Sequence, residues 1–126
     1  MRTTKRVFIA FAVEDRYYRD LLKGQSLYTN SPFEYTDMSV KEPWAYNWKE
    51  RCRTRIKGCD GVIAMLSRNS LRASGQRWEI ACAREERIPF IGVYIYTYDK
   101  SSPSEMNGVK KISWTWDGIR QFIDSL

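Results

Sequence analysis

Gly61-Val62-Ile63-Ala64-Met65-Leu66-Ser67, then Arg68-Asn69-Ser70-Leu71-Arg72-Ala73, then Ser74-Gly75-Gln76-Arg77-Trp78-Glu79-Ile80-Ala81: these three consecutive pieces decide the fold. The first is an apolar run without alternation, which predicts a strand buried on both faces, as in a parallel sheet. The second is a polar loop. The third opens a helix that runs to about Arg87, with Ser74 placed as its N-cap. Strand, loop and helix in that order form the repeating unit of an α/β domain. The pattern puts Glu79 within about a turn and a half of the helix start, where the positive end of the helix dipole favours a carboxylate. A carboxylate so placed either only complements the dipole or does chemistry, and the rest of the chain decides between the two.

Outward from that stretch the same alternation repeats. Arg6 to Ala12 is a second unbroken apolar run and predicts the first strand. Tyr17, Tyr18, Leu21 and Leu22 follow at helical spacing, with Gly24 as the expected stop. Phe33 to Thr36 alternates after Ser31-Pro32 and predicts a short strand. Trp48, Cys52 and Ile56 step by four along one helical face, and Lys49, Arg51, Arg53, Arg55 and Lys57 decorate the others as a solvated basic surface. Ile88 to Tyr96 predicts a fourth strand, with Pro89 near its start. Lys111 to Trp116 predicts an edge strand, and Asp117 caps a last helix bearing Ile119, Phe122, Ile123 and Leu126. Neither a repeat nor a linker interrupts residues 1–126, so the expectation is one doubly wound, three-layer, flavodoxin-like α/β domain. Its five-stranded parallel sheet has the expected order 2-1-3-4-5. In that order the switch point lies between strands one and three, and ligands bind beyond their carboxyl ends. The helix carrying Glu79 starts at that crevice.

Composition narrows the chemistry. The chain carries 21 Lys+Arg against 15 Asp+Glu, a net charge of +6, which suits an anionic partner or simply solubility. It has no histidine, so Ser-His-Asp and Cys-His machinery and His-ligated metals are absent. Its three cysteines, Cys52, Cys59 and Cys82, form no C-x-x-C pair, so neither a disulfide frame nor a zinc site is expected and a reducing, cytoplasmic setting fits. No apolar run approaches the roughly 20 residues of a membrane span. The basic start followed by Val7 to Val13 imitates a secretory leader but reads better as the first strand.

Val7-Phe8-Ile9-Ala10-Phe11 resembles the first box of TIR domains, and Asp60 to Ser67 resembles their third strand. Trp78-Glu79-Ile80 followed by Ile88 to Val93 resembles their catalytic-glutamate helix and the strand after it. Pro43-Trp44, Trp48 and Trp114-x-Trp116 agree more closely with bacterial TIR-like proteins of the Thoeris antiphage defence type. In two places the chain departs from the pattern: Ala10 stands where the first box has serine, and Gly75 stands where many TIR enzymes have a tryptophan four residues before the glutamate. The resemblance implies an NAD glycohydrolase or ADP-ribosyl cyclase, with NAD as substrate and no cofactor or metal. It would cleave the nicotinamide–ribose bond and make a cyclic ADP-ribose-type signal that activates a separate effector protein. Self-association or a phage-derived trigger would unlock it. No membrane and no specific nucleic acid is implied.

The chemistry agrees with the composition. Nicotinamide leaves NAD as a neutral base, so the step needs no general acid, and one carboxylate can stabilise the oxocarbenium-like transition state. Glu79 is the catalytic candidate. Phe11, Ala12, Asp15, Asp37, Trp44, Ser67 and Trp78 are the substrate-binding candidates; each also has a plain structural use as core, anchor or turn residue. Three rival functions stay open: a non-catalytic TIR-type interaction module, a nucleoside deoxyribosyltransferase-like enzyme, and, on charge alone, a nucleic-acid binder.

Overall fold

The computed structural model describes residues 5–28, 33–36 and 47–126. The elements follow in the order β1 (Lys5–Ala10), α1 (Arg16–Tyr28), β2 (Phe33–Thr36), α2 (Trp48–Lys57), β3 (Gly61–Leu66), α3 (Ser74–Glu85), β4 (Phe90–Tyr94), β5 (Lys111–Ser113) and α4 (Trp116–Asp124). The sheet order is β2-β1-β3-β4-β5, and all four pairings are parallel. Ile63 pairs with Ile9 on one side and Ile91 on the other, at the centre of the sheet. No helix of the described residues is long and apolar enough to cross a membrane.

The unbroken apolar runs are explained by a core on each face of the sheet. Val7, Ile9, Phe11, Ile63, Met65, Ile91 and Val93 pack with Leu22 of α1 and with Ile119 and Ile123 of α4. The alternate residues Phe8, Ala10, Val62, Ala64 and Leu66 pack with Cys52 and Ile56 of α2 and with Ile80, Cys82 and Ala83 of α3. Every residue of β3 is buried, because helices cover both its faces.

Local structure departs from the sequence expectations at several points. The first helix does not stop at Gly24 but runs on to Tyr28. Gly24 has no positive φ and nothing within 4 Å of where a Cβ would sit, so the helix passes through it at the ordinary glycine cost of roughly 1 kcal/mol. Ser74 is not the cap of α3: Ala73 occupies that position without a side-chain cap. The polar loop before it is folded into a 3-10 turn, Arg68–Leu71, capped by Ser67. The edge strand β5 ends at Ser113, and Thr115 rather than Asp117 caps α4, its Oγ1 accepting from the Gly118 amide at 3.1 Å. Lastly, Arg53 is not merely solvated. It pairs with Glu86 and Glu85 of the segment ending α3, and its guanidinium lies 5.4 Å from the Trp78 ring centroid. Its neighbours hold it protonated, the Glu86 hydrogen bond first among them.

A buried thiol and a half-buried phenol make the fold sensitive to alkali. Burial pushes the Cys82 thiol up to about 11, against the pull of Arg53. The hydrogen bond with Tyr18, with burial adding to it, pushes the Tyr96 phenol up to about 12. Each group keeps its proton in the fold at pH values where the unfolded chain releases it. Their contribution is therefore complete below about pH 9 and is lost as pH rises toward 11 and 12. The melting temperature is expected to fall from pH 9 to 11, and Cys82→Ala to fall less over the same range. Parallel curves for the two proteins would show that Cys82 takes no part.

Candidate functional site

Parallel strands β1 and β3 are hydrogen-bonded neighbours, yet the chain leaves them toward opposite faces of the sheet. β1 leads to α1, which packs on one core, and β3 leads to α3, which packs on the other. The ladder between them ends at Ala10 and Ala64, which leaves a gap in the strand hydrogen bonding at their carboxyl ends. Gln76 of α3 fills that gap. Its Nε2 donates to the Ala10 carbonyl at 3.0 Å and to the Met65 carbonyl at 2.7 Å.

Next to this amide is a cavity of about 210 Å³. Phe11 and Ala12 from the end of β1, with Val13 and Glu14 beyond them, form one side. The start of α3, from Ala73 through Gln76, forms the other, and Glu79 also lines the cavity. Trp48, the first residue of α2, adds an aromatic wall, and Arg72 joins from the turn before α3. Glu79 is fully buried. Burial strengthens what its carboxylate can do, because charge–charge interactions are screened less away from water. The Cys52 thiol donates to Glu79 Oε2 at 3.6 Å, a contact made because α2 packs directly on α3.

The other sequence candidates divide. Phe11 and Ala12 line the cavity with Glu79. Asp15 and Ser67 are brought together, but as a structural clasp outside the cavity lining. Ser67 Oγ donates to Asp15 Oδ2 at 2.6 Å, and Asn69 Nδ2 donates to Asp15 Oδ1 at 2.9 Å. The clasp ties the turn after β1 to the turn after β3. A neighbouring carboxylate repeats the device: Asp99 accepts from the Arg68 and Ser101 amides, and a hydrogen bond from the Ser101 side chain, helped by these amides, holds it below the usual carboxylate range. Trp78 does not line this cavity. It packs edge-on against Trp48 at 5.4 Å and under Arg53, fastening α2 to α3. Asp37 and Trp44 lie outside the described residues. Among the described residues no cluster of three or more metal-ligating side chains occurs.

Sequence reasoning missed Gln76 and Trp48. Gln76 sits three residues before Glu79, so both lie on one helix face, and that spacing was the available signal. Trp48 enters the sequence reading as part of the α2 core face and of the family resemblance but not as a site residue, because its step of four to Cys52 is also what a core residue shows.

The architecture has close parallels. The TIR domain of the Toll-related receptor TRR-2 from Hydra magnipapillata superposes with a TM-score of 0.66 at 15% identity, covering 97% of this chain and 94% of that one. A prokaryotic SEFIR domain superposes with a TM-score of 0.62, also at 15% identity, covering 97% of this chain and 89% of that one. No curated protein matches the chain. The family model for the TIR-like domain of the Thoeris protein ThsB matches residues 8–100, a span that runs from β1 past β4 and includes Gln76 and Glu79. The chain therefore belongs to the family of Thoeris ThsB TIR-like domains.

Proposed function

We propose that the chain processes NAD: it breaks the nicotinamide–ribose bond and turns the ADP-ribose part into a cyclic signal that activates a separate effector in antiphage defence. The observation that carries the proposal is the burial of Glu79 in the wall of a cavity at the carboxyl ends of β1 and β3. In the reaction the bond between C1′ and the pyridinium nitrogen breaks and its electron pair leaves with nicotinamide, which departs neutral. Positive charge grows on the ribose as this happens, and the Glu79 carboxylate stabilises it. An internal nucleophile of the same ADP-ribose then attacks C1′ and closes the ring; a hydroxyl nucleophile would give up its proton in doing so. Water attacking instead would give plain ADP-ribose.

At about 210 Å³ the cavity is smaller than the roughly 300–1,000 Å³ usual for a drug-sized ligand. It suits the nicotinamide riboside end of the dinucleotide. Arg72 borders both this cavity and the polar recess that contains Arg68, where it can meet the diphosphate. A site of this size, open at its mouth, would gain from completion by a second copy or a phage-derived trigger, so basal turnover should be low and rise on triggering. The proposed setting is cytoplasmic.

Incubation with NAD and mass spectrometry of the products tests the proposal. Nicotinamide should appear together with a product one water lighter than ADP-ribose. Unchanged NAD at every protein concentration, with and without lysate from infected cells, would favour the interaction-module reading. Base exchange on deoxynucleosides with NAD untouched would favour the deoxyribosyltransferase reading.

A further inference from the structure

Gln76 is 1% exposed and lines the cavity beside Glu79, yet its Oε1 has no hydrogen-bond partner. The orientation of this amide is settled by its surroundings. A primary amide has two N–H donors, and Nε2 faces two carbonyl oxygens, Ala10 O and Met65 O, at 3.0 and 2.7 Å. Turning the amide over would set an oxygen against both carbonyls, so the nitrogen belongs there. Its donors are spent on the fold, and what remains is a buried pure acceptor on a residue of the cavity wall. Native proteins rarely leave a buried acceptor unmatched, because an unmade hydrogen bond costs more than a made one gains. The partner of Oε1 must therefore carry an N–H or O–H.

We propose that Gln76 Oε1 is the specificity element for the leaving group and accepts the carboxamide N–H of nicotinamide. This rests on the NAD reading above. Gln76 and Glu79 are one helical turn apart on the same face, which sets their Cβ atoms about 5–6 Å apart. That separation suits a carboxamide on the pyridine ring at Gln76 while the reacting C1′ lies at Glu79; a 2′-hydroxyl, bonded to the carbon next to C1′, would sit too close to Glu79. The rigid anchoring to two strands makes Oε1 a fixed acceptor, and a fixed acceptor penalises a ligand that offers a methyl in place of its donor.

The test compares nicotinamide with 3-acetylpyridine, in which a methyl replaces the amide NH₂, as inhibitors of NAD consumption by the unaltered protein. Nicotinamide should inhibit at a concentration at least tenfold lower. Gln76→Met should bring the two inhibitors to within about twofold of each other. That variant also takes the Gln76 donor from the Ala10 and Met65 carbonyls, leaving Met65 O with the long 3.4 Å contact from Ser70 Oγ; if it does not fold, the comparison on the unaltered protein decides alone. Equal inhibition by the two bases would overturn the proposal while leaving NAD turnover in place. Weak discrimination between the bases, together with a tenfold or greater loss on 2′-deoxy-NAD, would assign Oε1 to the ribose and overturn it as well. If NAD is neither consumed nor bound, and nicotinamide shows no saturable binding by ligand-observed NMR, both this proposal and the NAD reading fall.

Discussion

Glu79→Gln is expected to lower NAD turnover by about a hundredfold or more, or roughly 3 kcal/mol of barrier, in a protein that still folds. The substitution keeps the shape of the side chain and removes its charge. If the carboxylate acts on charge that appears only as the glycosidic bond breaks, the loss should fall on kcat and leave KM nearly unchanged. Stability should be preserved or slightly raised. Glu79 is fully buried, and a buried charge is costly to the fold, so an amide of the same volume relieves part of that cost even as it changes the contact with Cys52. The measurement is NAD consumption and thermal unfolding on one sample. Turnover within a few-fold of the unaltered protein would make Glu79 a core residue that merely faces a cavity, and the enzyme reading would lose its main support.

Asp15→Ala should have the largest effect on stability, a loss of about 3 kcal/mol. Asp15 is 1% exposed and its two carboxylate oxygens accept from Ser67 Oγ and Asn69 Nδ2. Hydrogen bonds to a charged group contribute roughly 1.5–3 kcal/mol each, and the donors left behind are buried or half-buried. For a chain of 126 residues that corresponds to about 10 °C or somewhat more in melting temperature. Because the clasp joins the turns after β1 and β3, its loss should also loosen the crevice edges, so KM for NAD should rise more than kcat falls. Urea unfolding with steady-state kinetics on the same variant checks both parts. A loss below about 1 kcal/mol would mean that the clasp is replaced by solvent at little cost.

How much was legible in advance follows from what each signal depends on. The strand at Gly61–Leu66 and its position in the sheet could be read from residue types, because burial on both faces demands apolar side chains at every position, and that demand is visible without coordinates. The alternation of strands and helices, and the order that follows from it, rest on the same local physics, as does the expectation that Glu79 lies near a switch point. Helix ends were less legible. Ser67, Ser74, Thr115 and Asp117 are all competent caps by type, and the choice of Ser67 and Thr115 depends on which backbone amides the turn presents.

The interior of the site was decided by tertiary structure. No local pattern says that a glutamine in α3 will reach carbonyls 66 and 11 residues away, or that Trp48 instead of Trp78 will meet the cavity. Nor does it say that Arg53 will be drawn out of solvent onto Glu86. These outcomes follow from how α2 packs on α3 over one face of the sheet and from where the β1–β3 ladder ends. Sequence alone determined a parallel α/β domain and the expectation of Glu79 near its crevice, because periodicity and burial are properties of neighbouring residues. The direction of the Gln76 amide, the depth of Glu79 and the Asp15 clasp needed the packed molecule, because each depends on groups that only the completed sheet brings within hydrogen-bond reach.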